Sequence, residues 1–223
     1  MSSGNEAVPR SSRERILRRI RAANERAGAL SQPIPREYQR AGDCSADQTL
    51  ALFEERVREY DARVFPVRRA EIAEHVAELL SASGRRRIAV PIGLPEEWRP
   101  SGIEWAIDGD GSTDENPALP YEVLDSVDGA MTGAALAIAV SGSIVLQHGP
   151  AEGRRVLTLL PDYHLCILQA SDVVETLPEG FARLDPLRRT TFISGPSATA
   201  DIEMVRIKGV HGPRSLDVLL VED

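Results

Sequence analysis

The residues able to bind or move charge fall into two dense stretches of the chain. One is Thr190 to Arg214, TTFISGPSATADIEMVRIKGVHGPR. A β-branched strand there runs into Ser194-Gly195-Pro196-Ser197, where glycine and proline stop it and Ser197 can cap the orphan amides of a following helix. Such a turn brings free amides, two hydroxyls and a positive dipole end to one point, the ordinary means of holding a carboxylate or phosphate. Asp201, Glu203, His211 and Arg214 follow closely. Asp201 falls in the first turns of the expected helix and is the best-placed carboxylate, with stabilising the dipole as its plain alternative. His211 titrates near neutral pH and is a candidate proton carrier, with loop packing as its plain alternative.

The other stretch is Val127 to Gln169. Two apolar runs, Ala134 to Val140 and Ser143 to Gln147, are joined by Ser141-Gly142, which reads as a tight hairpin. Before them Gly129, Gly133 and Ala134 let another backbone come close. The loop His148 to Gly153 then presents Arg154 and Arg155, adjacent guanidiniums that suit bidentate pairing with an anion. His164 and Cys166 sit two apart on a strand and share a face. They lack a third ligand at a supporting spacing, so no metal is expected; His164 is a second candidate proton carrier, with core packing as the alternative. The proposed anion pocket thus takes Ser141, Gly142, Ser143, Gly153, Arg154, Arg155, Ser194, Gly195, Ser197 and Arg214. Its catalytic candidates are Asp201, His164 and His211. Two glycine-bearing crossings meeting at the carboxyl edge of a parallel sheet are expected to form it.

Helices and strands must position these groups. Ser11 to Ala29 reads as a helix with a narrow stripe of Ile16, Ile20, Ala23 and Ala27, stopped by Gly28. Asp47 to Tyr60 presents Leu50, Phe53, Val57 and Tyr60 on one side. A strand follows at Ala62 to Val67, then a helix Arg68 to Ala82 with Ile72, Val76, Leu79 and Leu80, then the strand Arg87 to Pro91. Strand, helix, strand in that order implies a right-handed crossover and a parallel pair. Ile103 to Ile107 is a further strand. The acidic run from Asp108 to Asn116 reads as a solvated loop, because the ligand spacing and distal Glu of an EF-hand are missing. A helix from Pro178 with Phe181 and Leu184, a helix from near Ala198, and a last strand Ser215 to Val221 complete the pattern.

Composition excludes several classes. A chain of 223 residues with 42% hydrophobic content supports one sizeable core. We expect an N-terminal helical arm and linker over residues 1–45 and an α/β domain over 46–223. The first 40 residues carry nine Arg and four Glu, a net of +5, leaving −13 of the total −8 to the remainder. So acidic a body is a poor nucleic-acid binder. Two cysteines, Cys44 and Cys166, cannot hold an iron–sulfur cluster or a tetrathiolate zinc. No signal-like apolar segment or membrane-length run is present, which favours a cytoplasmic protein. GxSxG, Walker and GxGxxG motifs are absent.

The segments SGSIVLQHGPAEGRRVLTLLPDYHLCIL and TFISGPSATADIEMVRIKGVHGPRSLDVLLV resemble signature blocks of the lactate utilization protein C family, the LUD domain, over roughly Leu50 to Val221. That resemblance implies a three-layer α/β fold with a mostly parallel sheet of the NagB, RpiA and CoA-transferase kind, similar also to formyltetrahydrofolate cyclo-ligase. It implies a subunit without cofactor of its own, acting on a small anionic metabolite in the oxidation of L-lactate to pyruvate. Two partner proteins would carry the iron–sulfur clusters. The family usually has Glu where this chain has Val140, within AIAVSGS, so a carboxylate at that place is unavailable; Asp162, Asp201 or Glu203 would have to supply one. Two other readings stand beside this one: a free-standing enzyme on a small phosphorylated or carboxylated metabolite, and a non-catalytic regulatory or scaffold protein.

Overall fold

The computed structural model describes residues 11–27, 35–109, 111–113, 117–199, 207–208 and 212–222. The chain divides into two compact units, Met1–Tyr38 and Gln39–Asp223. In the first, helix α1 (Ser12–Ala27) starts where Ser11 and Glu14 each accept a hydrogen bond from the other's backbone amide, at 3.2 Å.

The second unit begins with α2 (Ala46–Glu59), nucleated by a capping box between Ser45 and Gln48. In chain order follow β1 (Arg63–Arg68), α3 (Ile72–Ala82), β2 (Arg87–Pro91), β3 (Glu104–Asp108) and α4 (Tyr121–Asp125). Then come β4 (Gly129–Gly133), β5 (Leu136–Ile138), β6 (Ser143–Leu146), β7 (Tyr163–Gln169), β8 (Val173–Val174) and α5 (Leu177–Arg183). The last are β9 (Thr191–Ile193), β10 (Ala198–Thr199), β11 (Ile207–Lys208) and β12 (Ser215–Glu222). No helix among the described residues is long and apolar enough to cross a membrane.

A six-stranded sheet in the order β1-β12-β7-β4-β2-β3 is parallel at every pairing. A second sheet, β8-β5-β6-β9, pairs β5 with β6 and β6 with β9 antiparallel. Parallel strands covered on both faces read as unbroken apolar runs, and β12 is buried from Leu216 to Val221. Its side chains alternate between two cores. Leu219 and Val221 join Ile72, Val76 and Leu80 of α3, while Leu216, Val218 and Leu220 join Phe53 and Val57 of α2 and Ala137, Ile144 and Leu146 of the second sheet. The result is a three-layer α/β fold in which the main sheet lies between α3 and the layer of α2 and the second sheet.

The amino ends of β1, β12 and β7 are tied by the buried Asp217. Its carboxylate accepts from Arg63 at 2.7 and 2.6 Å and from the Tyr163 hydroxyl at 2.8 Å. Arg85 lies over the Tyr163 ring, 3.8 Å from its centre, a cation–π contact.

Three expectations need correction. The strands flanking α3 are parallel members of one sheet, but β12, β7 and β4 lie between them, so β1 and β2 are not neighbours. The small-residue stretch at Gly129 is itself a strand, β4, buried throughout. A Cβ on Gly129 would collide with Tyr163, so close backbone approach is indeed what that glycine permits. The helix expected from Ala198 is not formed there: Ala198 and Thr199 pair antiparallel with Lys208 and Ile207. The spacing of Ala198, Ile202 and Val205 imitates a helical face, but Thr199 and Ile207 are β-branched and suit extended backbone. Asp201 and His211, and with them the expected first-turn placement of Asp201, lie outside the described residues.

Candidate functional site

Position two of β7 is His164 and position two of β12 is Leu216, and both line a cleft of about 240 Å³. The cleft therefore lies on one face of the main sheet, beside the amino ends of these strands and not at the carboxyl edge expected from sequence. Its other walls are the 3₁₀ turn Arg155–Thr158 and the segment from Phe192 to Ala198 that leaves β9. The strand alternation that sends Leu165 and Ile167 to α3 turns His164 and Cys166 to this opposite face.

His164 is 1% exposed, and its Nε2 lies 2.8 Å from the Thr132 hydroxyl. That hydroxyl also donates to the Gly133 carbonyl at 2.9 Å, which suits the tautomer with the ring proton on Nε2, donating to Thr132. Nδ1 is then a lone pair, and it accepts no hydrogen bond from any described residue. Burial, and after it the positive charge of Arg155, pushes His164 down from 6.5 to about 4. The imidazole is neutral at ordinary pH, an acceptor aimed from a dry strand.

Arg155 lines the same cleft. Its Nη1 donates to the Thr158 hydroxyl at 2.6 Å and the Thr158 carbonyl at 3.1 Å. No carboxylate among the described residues pairs with it, and desolvation lowers its pKa. An uncompensated guanidinium held by two neutral acceptors is a site for an incoming anion.

Hydroxyls approach from the far wall. Ser141 donates to Ser143 at 2.9 Å, and Ser143 and Ser194 share a hydrogen bond of 2.7 Å. Of the three, Ser194 lines the cleft; Ser141 and Ser143 stand behind it and tie the β5–β6 turn to the end of β9. Gly142 is left-handed at φ 56°, as the expected tight turn requires, and a Cβ there would strike the backbone of Arg56 on α2. Gly195 is held as closely against Tyr60. These glycines let α2 approach. Ser197 lines the cleft, and its amide donates to the Pro213 carbonyl at 2.8 Å, so it is not a helix cap.

Arg154 has a different fate from its neighbour. It forms a bidentate pair with Asp108, 2.9 and 2.5 Å, and a third bond to the Leu119 carbonyl at 3.0 Å. Asp108, read from sequence as part of a solvated loop, is 2% exposed. Arg154 thus serves that carboxylate rather than a ligand. With Gly153 it borders a second, larger cleft of about 730 Å³ at the carboxyl ends of β2 and β3, where Pro91 and Asp108 end their strands. Arg155 lines both clefts and joins them. Arg214 lines neither; it is exposed, 3.5 Å from the exposed Asp162.

The fold therefore gathers Arg155, His164, Ser194, Gly195 and Ser197 in the smaller cleft, and leaves Ser141, Gly142, Ser143, Gly153, Arg154 and Arg214 outside it. Thr132 and Thr158, which orient the two charged-ligand groups, had no signal in the sequence beyond lying near glycines or arginines. Val140 is 46% exposed and lines neither cleft. Cys166 is buried and pushed up to about 12 by desolvation first, so it is a thiol. Cys44 is exposed. Among the described residues no group of three or more His, Cys, Asp or Glu could hold a metal.

Architecture and site together define a three-layer α/β protein with a cationic cleft on its central parallel sheet. Residues 50–221 match the model of the LUD domain, and the chain belongs to that family. It is similar to the Lactate utilization protein C of Deinococcus radiodurans, 37% identical over 199 residues that span 87% of this chain and 89% of that protein. The Uncharacterized protein YkgG of Escherichia coli K12 is 34% identical over 119 residues, 48% of this chain and 51% of that one. A crystal structure of a DUF162 family protein from Deinococcus radiodurans superposes with a TM-score of 0.65 at 33% identity, covering 80% of this chain and 99% of that one.

Proposed function

We propose that this chain serves lactate utilization as the cluster-free, soluble cytoplasmic subunit of a three-component L-lactate-oxidising system, and that the smaller cleft takes the 2-hydroxycarboxylate. One observation carries the reading: Arg155, which has no carboxylate partner among the described residues, shares a cleft with a neutral histidine whose Nδ1 accepts no hydrogen bond from any described residue. The substrate carboxylate would pair with the Arg155 guanidinium and accept from Ser194, leaving the 2-hydroxyl to donate to Nδ1 of His164. Oxidation to the 2-oxo acid releases two electrons and two protons. The His164 Nδ1 lone pair would hold the hydroxyl proton in a hydrogen bond and so orient the substrate, while the redox step itself, removal of the Cα hydrogen, the hydroxyl proton and both electrons, would belong to the two iron–sulfur partner proteins. The chain's own cysteines do not fit a cluster, since Cys166 is a buried thiol and Cys44 is exposed. The lactate utilization naming of a relative matched over most of its length supports the pathway.

The test is calorimetric titration of the purified chain with L-lactate and with acetate. L-lactate should bind more tightly than acetate, because acetate lacks the hydroxyl. Arg155→Gln should weaken both, by roughly tenfold or more. His164→Gln should narrow the difference between them. In cells, Arg155→Gln should fail to restore growth on L-lactate to a strain lacking the gene. Unchanged lactate affinity in Arg155→Gln, or normal lactate growth without the gene, would remove the proposal.

A further inference from the structure

The larger cleft is about three times the volume of the smaller and has a different chemistry. At about 730 Å³ it is the size of a site for a whole cofactor or nucleotide rather than a three-carbon acid. One wall is cationic. Arg155 and Arg189 have no carboxylate partner among the described residues, and Arg188 has only Asp185 at 4.0 Å. Among the described residues the one carboxylate lining the cleft, Asp108, is already neutralised by the bidentate Arg154. Apolar groups line the cleft as well, from the β2 end and the start of α4: Pro91, the exposed Ile92 and Tyr121, which is 65% exposed. His148 is fixed by two hydrogen bonds of 2.9 Å, its Nδ1 donating to the Gly153 carbonyl and its Nε2 meeting the Thr191 hydroxyl. The first bond braces the loop on itself and the second ties it to β9.

We infer that this cleft binds a ring-bearing phosphoester of the nucleotide class, its phosphates on Arg188, Arg189 and Arg155 and its ring against Tyr121 and Ile92. Excess positive charge selects for more than one negative charge, since a single carboxylate would leave two guanidiniums unsatisfied. The exposed aromatic and proline surface gains by covering a planar ring. The inference stands apart from the identity of the acid in the smaller cleft and touches it only through Arg155.

Three probes separate the parts: ADP, inorganic pyrophosphate and adenosine, each titrated calorimetrically into the full chain. ADP should bind saturably below 1 mM, pyrophosphate more weakly, and adenosine weakest. Arg189→Gln alters an exposed side chain, so the protein should keep its thermal midpoint while ADP and pyrophosphate weaken about tenfold. Tyr121→Ala should weaken ADP about fivefold and leave pyrophosphate unchanged. Neither variant should alter L-lactate binding, whereas Arg155→Gln should weaken ADP and lactate alike. No saturable binding of ADP at millimolar concentration overturns the inference. So does ADP binding that is equal in wild type, Arg189→Gln and Tyr121→Ala. Lactate affinity lowered towards that of acetate in His164→Gln, with ADP binding retained, separates the smaller cleft from the larger.

Discussion

Replacing His164 with Gln tests the electrostatics of the smaller cleft through stability alone. The folded imidazole is held at about 4, against an ordinary 6.5 when the chain is unfolded. The folded value is the lower, so below pH 6.5 the unfolded chain takes up a proton that the native state refuses. Stability is therefore complete above pH 6.5, falls as pH drops, and levels off near pH 4 after a total loss of roughly 3 kcal/mol. Between pH 7 and pH 5 the loss from this one group is about 2 kcal/mol, equivalent to a fall in Tm of about 4 to 8 °C for a protein of this size. Many carboxylates titrate in the same range, but they are common to both proteins. Thermal melts followed by circular dichroism at pH 7 and pH 5, in wild type and in His164→Gln, isolate the difference. Gln keeps a donor for Thr132 and cannot be protonated, so its Tm should fall by about 4 to 8 °C less than that of wild type. Equal falls in the two proteins would refute a desolvated, neutral His164.

Arg154→Ala leaves the Asp108 carboxylate buried and unpaired, and urea unfolding should show a loss of about 3–5 kcal/mol; less than 1 kcal/mol would mean that Asp108 is solvated. Leu80→Ala removes a fully buried side chain between α3 and the main sheet, and the same assay should register about 2–5 kcal/mol. Brief iodoacetamide treatment at pH 8 should modify Cys44 and spare Cys166, whose burial holds it as a thiol; mass spectrometry should find the second label only after denaturant is added.

What the sequence revealed and what it hid follow from how local each signal is. Helices α2 and α3 and strands β2, β7 and β12 carry their own periodicity or apolar run, and their limits agree with the pattern to within a few residues. Strand β4 does not: Gly-Ala-Met-Thr-Gly has no β-branched apolar pair, and β7 and β2 on either side make it a strand. The ribbon at Ala198 was misread because three apolar residues at helical spacing cannot report a partner at Lys208. In the site, Arg154 and Arg155 are indistinguishable as letters. Asp108, 46 residues away, claims the first, and no carboxylate among the described residues pairs with the second. The same reasoning explains Gly142 and Gly195, which looked like anion cradles and instead admit α2.

Strand β1 hydrogen-bonds to β12, and Arg63 meets Asp217 at a separation of 154 residues along the chain. At ribosomal speeds of 5–20 residues per second, the first strand waits roughly 8 to 30 s for its only sheet neighbour to be made. During that interval β1 presents an unpaired edge to the cell, joined late in it by β7, which also pairs with β12. The domain should consequently depend on chaperones during synthesis far more than its finished stability suggests, and refold slowly from denaturant because its closing contact is so remote in sequence.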